Sequence, residues 1–143
     1  MPTTATSERT LVLLKPDAVR RGLVGEILSR FEAKGLRFVA LEQRHIDGAQ
    51  ADAHYAEHVQ RDFYPPLREF VTSGPLVALV LEGDRAIEVV RGLTGATDGR
   101  QAVPGTIRGD LSLSNRENLA HASDGPESAA REIALWFPEL AGA

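Results

Sequence analysis

His121 sits in the stretch Asn118-Leu119-Ala120-His121-Ala122-Ser123-Asp124-Gly125. A short apolar pair leads into an imidazole, and a Ser/Asp cluster then opens a helix. That pattern places a histidine at the end of a strand, beside a helix N-terminus. Free backbone N–H groups and the helix dipole favour anions at such a position. A neutral imidazole facing a phosphate can attack it and hold the phosphoryl group covalently. Two further segments, Lys15-Pro16-Asp17 and Pro104-Gly105-Thr106-Ile107-Arg108-Gly109-Asp110, bring cations and a glycine-flanked loop. Phosphoryl transfer depends on neutralised phosphate oxygens and in-line geometry more than on covalent help from side chains. Lys15 and Arg108 are the candidate cations in these segments. Arginine matches two phosphate oxygens at once, whereas lysine acts as a point charge.

The elements that must position these groups are read from hydrophobic period and breakers. Thr10 to Leu14 is an apolar run ending at Lys15-Pro16, which predicts a buried strand with proline forcing the exit. Val24, Ile27, Leu28 and Phe31 follow at helical spacing, and Gly35 stops that helix. Leu36 to Arg44 is a second strand. Ala49 to Val71 is helical in composition but broken by Pro65-Pro66 into two pieces, with Phe63, Leu67, Phe70 and Val71 on one face. Ser73-Gly74-Pro75 is a turn, and Leu76 to Leu81 a third buried strand. Asp84 reads as the N-cap of a helix ending near Gly92. A long glycine-rich loop follows from Gly92 to Asp110, of a length that is usually functional or disordered. Leu119 to His121 is a fourth, short strand. Asp124 and Glu127 form a capping-box pattern, with Pro126 in the first turn of a last helix that ends at Pro138. Strands alternating with helices would by pattern alone suggest a parallel sheet.

The bounds are those of one compact domain spanning 1–143, with residues 1–8 a flexible polar arm. The net charge of -4 argues against a broad nucleic-acid footprint. The absence of cysteine excludes disulfides, zinc-thiolate sites and cysteine catalysis. No apolar run is long enough to span a membrane, and the N-terminus lacks a secretory pattern, so a cytoplasmic protein is expected.

The motifs around Lys15, Gly74-Pro75, Arg108 and His121, with the closing Glu127-Ser128-Ala129 and Glu132-Ile133, occur in the order and spacing of nucleoside diphosphate kinases. The chain resembles that family from about Arg9 to Pro138. The resemblance implies an α+β, ferredoxin-like fold: a four-stranded antiparallel sheet with helices on one face, in place of the parallel reading. It implies transfer of the γ-phosphate of a nucleoside triphosphate to nucleoside diphosphates, in a ping-pong reaction through a phosphohistidine on His121. Mg²⁺ would arrive with the nucleotide. By the same resemblance Glu132 orients His121 through the ring nitrogen that does not attack, and Tyr55 stands close to the histidine. Arg91, Thr97 and Arg108 would meet the phosphates. Lys15 and Asn118 would hold the ribose 3′-hydroxyl, with Lys15 also near the transferring phosphate. Phe63 would stack on the base, with Leu67 one turn on; stacking tolerates every base. Ala122, Gly125 and Asn115 stand where the family commonly has glycine, serine and a small apolar residue.

His45, His54 and His58 read as structural or solvent-exposed, and Trp136 as packing. Two further classes stay open beside the kinase: a nucleotide-binding scaffold with weak chemistry, and phosphotransfer from His121 to partner proteins. The resemblance also implies a homo-oligomer, with a hexamer favoured over a tetramer and the 92–110 loop at a subunit contact.

Overall fold

The computed structural model describes residues 7–140. The chain runs β1 (Ser7–Leu14), α1 (Pro16–Arg20), α2 (Val24–Ala33), β2 (Arg37–Arg44), α3 (Gly48–His54), α4 (Tyr64–Val71), β3 (Leu76–Asp84), α5 (Ala86–Thr94), α6 (Ile107–Leu111), β4 (Ala120–Ala122) and α7 (Pro126–Trp136), with a 3₁₀ turn at Pro138–Leu140. The strands form one sheet in the order β2-β3-β1-β4, and every pairing is antiparallel. Strand direction corrects the parallel pattern reading, because local periodicity carries no information about it. Residues 1–6 of the expected arm lie outside the described residues. Ser7 and Glu8 instead pair with Asp84 and Gly83 as the start of β1.

The apolar runs in β1 and β3 are continuous rather than alternating because both faces of the sheet are covered. Val12, Leu14, Leu79 and Leu81 pack with Ile27 and Phe31 of α2 and Val90 of α5. Leu11, Leu13, Ala78 and Val80 pack on the other face with Tyr64 and Val71 of α4 and Ile133 and Trp136 of α7. The expectation of helices on one face is therefore too narrow: α3, α4 and α7 build a second core.

Three local readings have clear outcomes. Gly35 follows the C-cap Lys34 at φ +104°. Leu36 N–H bonds Phe31 O at 3.2 Å and Gly35 N–H bonds Glu32 O at 3.0 Å, the paired bonds of a Schellman motif. Asp84 is not a cap. It ends β3, the N-cap is Arg85 in the left-handed region, and Ile87 N–H is taken by Glu8 from β1 at 3.2 Å. The Asp124/Glu127 capping box also does not form. Gly125 is the N-cap with no side-chain cap bond, while Asp124 accepts from the Ser128 hydroxyl. Pro126 does open the helix. Among the described residues no helix is long and apolar enough to cross a membrane.

Candidate active site

His121 is the middle residue of β4 and pairs with Leu13 of β1. Cross-strand partners share a face, so the imidazole points to the side covered by α3 and α7. The turn leading into β4 is strained. Leu119 has φ +73°, and Ala120 N–H reaches back to Asn118 O at 2.8 Å, which defines a γ-turn of the rare positive-φ kind. Its polar groups are held from two sides. Lys15 N–H bonds Leu119 O at 2.8 Å, and Leu119 N–H bonds Asp17 Oδ2 at 3.1 Å. Opposite these, Arg108 Nε bonds Asn118 O at 3.1 Å, Nη2 bonds Ala120 O, and Nη1 bonds Gly95 O at 3.0 Å. The Lys15-Pro16-Asp17 motif thus meets the 118–120 turn through its backbone and a carboxylate, as well as through the lysine.

The tautomer of His121 follows from its partner. Nε2 lies 2.8 Å from Glu132 Oε1, and the same oxygen accepts from Ser123 Oγ at 2.8 Å. Burial alone would raise the Glu132 carboxyl, but the bonds from His121 and Ser123 outweigh it and hold the carboxyl below its ordinary range. An ionised carboxylate only accepts, so Nε2 carries a proton, and in the neutral ring the lone pair is then on Nδ1. The side chain of Glu132 is 5 % exposed and that of His121 22 %, so the acceptor is sealed while the ring keeps an open side.

That open side faces a cavity of about 690 Å³, the size of a small-ligand pocket. Of the residues proposed from sequence, Lys15, Tyr55, Leu67, Arg91, Thr97, Arg108, Asn118, His121 and Glu132 all line it. Lys15 Nζ bonds Asn118 Oδ1 at 3.0 Å, and Asn118 Nδ2 bonds Thr97 O at 2.9 Å, so these three are tied together. Arg91, in the last turn of α5, bonds Ala122 O at 3.2 Å. Desolvation and the Arg108 charge, partly offset by Asp17, bring Lys15 down to about 8. Burial and Arg91 bring Arg108 down to about 10. Cations crowded and stripped of water in this way favour an anion that would neutralise them. The Tyr55 hydroxyl is buried without a hydrogen-bond partner, and burial beside Glu132 pushes it far above its usual range. It is a donor lacking an acceptor in a cavity lined with cations.

Phe63 is placed differently. It caps α4, is 46 % exposed, does not line the cavity, and packs against His58 with ring centroids 5.5 Å apart. Phe70 and Val71 of the same helix are buried, so the four-residue face is split. Ala122 lies within β4 outside the positive-φ set, and its methyl group joins the core, so glycine's freedom is not needed there. Sequence reasoning missed His54 and Asp17. His54 read as structural yet lines the cavity, with its ring centroid 4.6 Å from that of His121. No local signal marks it, because α3 and α7 meet only in three dimensions. Asp17 was visible only as part of a motif.

A family model for nucleoside diphosphate kinase matches residues 8–141. A nucleoside diphosphate kinase of a Nocardioides species is 76 % identical over 134 residues, covering 94 % of this chain and 99 % of that protein. One from Mycobacteroides abscessus is 62 % identical over 135 residues, covering 94 % and 99 %. Among solved structures, a Halobacterium salinarum nucleoside diphosphate kinase in complex with CDP superposes with a TM-score of 0.89 at 49 % identity, covering 92 % of this chain and 88 % of that one. A Borrelia burgdorferi enzyme, a transition state mimic with bound vanadate and ADP, superposes with a TM-score of 0.88 at 39 % identity, covering 94 % and 89 %. The chain belongs to the nucleoside diphosphate kinase family, enzymes that transfer phosphate between nucleotides.

Proposed function

We propose that the chain, as one domain, moves the γ-phosphate of ATP or another nucleoside triphosphate to nucleoside diphosphates in two half-reactions through Nδ1 of His121. The observation that carries this is the Nε2–Glu132 bond of 2.8 Å, which leaves the Nδ1 lone pair toward the cavity. In the first half-reaction Nδ1 attacks the γ-phosphorus. The Nδ1–P bond forms as the P–O bond to the β-phosphate breaks, and the diphosphate leaves with the electron pair. The ring gains positive charge, and Glu132, already bonded to the Nε2 proton, stabilises it without needing to take that proton. The second half-reaction reverses these steps with a different diphosphate.

Lys15, Arg91 and Arg108 balance the phosphate charge. Three N–H groups of Arg108 already hold backbone carbonyls, so in this reading it fixes the turn and spares its remaining donors for phosphate. Tyr55 gives its unpartnered hydroxyl to a phosphoryl oxygen, and Thr97 adds a further donor. Lys15 and Asn118, bonded to each other, hold the ribose 3′-hydroxyl. Leu67 at the cavity wall and the exposed ring of Phe63 beyond it form the base platform.

Kinases acting on nucleotides take them with a divalent metal, and we assign Mg²⁺ as part of the substrate. The cavity offers Asp124 as a hard oxygen donor, while in the nitrogen-rich group around His121 the Nε2 proton is given to Glu132 and the His54 Nδ1 lone pair accepts from Trp136. Exposed Val103 and Leu113 near the glycine-rich segment, and Leu41 on the edge strand β2, support self-association. We favour a hexamer over a tetramer, in the cytoplasm, and without nucleic-acid binding.

The test is a two-step turnover. Protein is incubated with γ-labelled ATP and Mg²⁺, freed of nucleotide, and given unlabelled GDP. Acid-labile label on His121 that passes to GTP is the expected result. ATP binding without retained label would overturn the phosphohistidine reading.

A further inference from the structure

His54, the last residue of α3, is 4 % exposed, and the reaction above does not use it. Its Nδ1 lies 2.9 Å from Trp136 Nε1. An indole N–H can only donate, so Nδ1 must present its lone pair, and the one proton of the neutral ring sits on Nε2. The ring meets His121 edge-to-face, with centroids 4.6 Å apart and planes at 85°. It meets Tyr55 at the same separation and angle. His54, His121 and Glu132 each bring a nitrogen or oxygen to within 4.8 Å of the others.

We propose that His54 is a positioning residue for His121: a ring held in one tautomer by Trp136, which keeps the His121 ring turned so that Nε2 meets Glu132 and Nδ1 faces the cavity. The proposal rests on the phosphohistidine reading. One hydrogen bond at Nε2 leaves the His121 ring free to pivot, and a perpendicular ring packed against it removes that freedom. The ring that does this must stay uncharged. Attack by Nδ1 makes His121 cationic, and a second cation one ring away would oppose it. Trp136 prevents this, because protonating Nδ1 would set two N–H donors against each other. The surroundings act in the same direction. Burial, then the charge of His121, bring His54 down to about 3; Glu132 opposes, while Arg131 and Lys15 add to the depression. Tyr55 faces it as a neutral phenol.

The test uses the full chain and four variants: His54→Ala, His54→Phe, Trp136→Phe, and the last two combined. Single-turnover phosphorylation by ATP is followed against pH, with ¹⁵N NMR of the imidazoles as a readout independent of activity. His54→Ala is expected to lower the phosphorylation rate about 10-fold with little change in nucleotide affinity, since small misorientation of a nucleophile is costly. His54→Phe keeps a ring and is expected to recover most of that loss. In Trp136→Phe the acid limb should move to higher pH, because His54 can now be protonated, and the double variant should restore it. In the parent protein the ¹⁵N shifts should show His54 as the Nε2–H tautomer from pH 5 to 8. A Trp136→Phe profile that superimposes on the parent's, a phosphorylation rate in His54→Ala within twofold of the parent's, or a His54 that titrates in that range would overturn the proposal. Should Trp136→Phe not fold, the His54 variants and the NMR of the parent decide alone. Absence of phosphoenzyme in the parent would instead remove the underlying reading.

Discussion

Asp17 Oδ2 accepts the backbone N–H of Leu119 at 3.1 Å, so a carboxylate at the start of α1 holds the left-handed residue two positions before His121. A bulky residue in that region costs about 1–3 kcal/mol, and it persists only where neighbours over-determine it. Asp17→Ala removes one of those neighbours and leaves Leu119 N–H buried without an acceptor. A stability loss of about 1–3 kcal/mol and a fall in kcat/KM of roughly 10-fold or more are expected. Asp17→Asn keeps an acceptor and should retain most of both. Urea unfolding and steady-state kinetics on the two variants check this, and an alanine variant with unchanged kinetics would detach the turn from catalysis.

Lys15 couples stability and activity with opposite signs. Folding lowers its pKa from 10.5 to about 8, so the folded state disfavours the cation. That cost is fully present below pH 8, where both states carry the charge, and it is gone above 10.5, where neither does. The unliganded protein should therefore gain stability between those values, while kcat/KM falls above about pH 8 as the phosphate-binding cation is lost. Lys15→Met should abolish most activity yet stabilise the unliganded protein by up to about 3 kcal/mol at pH 7. Unfolding and kcat/KM measured from pH 6 to 11, with the variant as the reference, separate this group from others that titrate. A variant less stable than the parent at pH 7 would show that Lys15 contributes packing that outweighs its desolvation.

Glu132 takes two donors on one oxygen, from His121 Nε2 and Ser123 Oγ. Glu132→Gln keeps the shape, but its amide oxygen carries no charge to balance the ring during attack. A fall in the phosphorylation rate of roughly 10- to 100-fold is expected, with nucleotide affinity nearly unchanged. The measurement is single-turnover formation of acid-labile phosphoenzyme against ATP concentration. A change confined to affinity would assign Glu132 to binding instead.

The parts of this protein that could be read from sequence are those set by neighbours in the chain. Pro16 after an apolar run marks the end of β1, and Gly35 marks the end of α2, because each acts on its own backbone. Helix α6 was hidden: Ile107–Leu111 lies in a glycine-rich stretch, and it forms because Thr106 caps it by accepting Gly109 N–H at 2.9 Å. Asp84 failed as a cap for a non-local reason, since β1 extends β3 through Asp84 and lends Glu8 to the helix. The site divides in the same way. His121, Lys15 and Arg108 stand in motifs, whereas the partnership of His54 with Trp136 arises where α3 packs against α7. Phe63 shows the reverse limit: helical spacing placed it on a shared face, and its position ahead of the first turn of α4 leaves it exposed.

Gly109 gives the sharpest steric prediction. A Cβ built there would lie 2.0 Å from Val103 O and 2.7 Å from Thr106 Oγ1. Neither atom can yield cheaply. Val103 O accepts the Thr106 hydroxyl at 2.6 Å and Thr106 N–H at 3.1 Å, and Thr106 Oγ1 is the cap of α6. Gly109→Ala must therefore open the 103–109 turn, and with it the helix that carries Arg108. Arg108 would lose its hold on Asn118 O and Ala120 O, and the γ-turn before His121 would lose one of its two clamps. The variant is expected to lose about 2–4 kcal/mol of stability and most of its phosphorylation rate. Gly125→Ala, where the added methyl meets nothing within 4 Å, should leave stability unchanged and serves as the control. Thermal unfolding of the pair, alongside single-turnover phosphorylation, decides the matter. A Gly109→Ala protein as stable and as active as Gly125→Ala would mean that the loop is free to move without disturbing the turn.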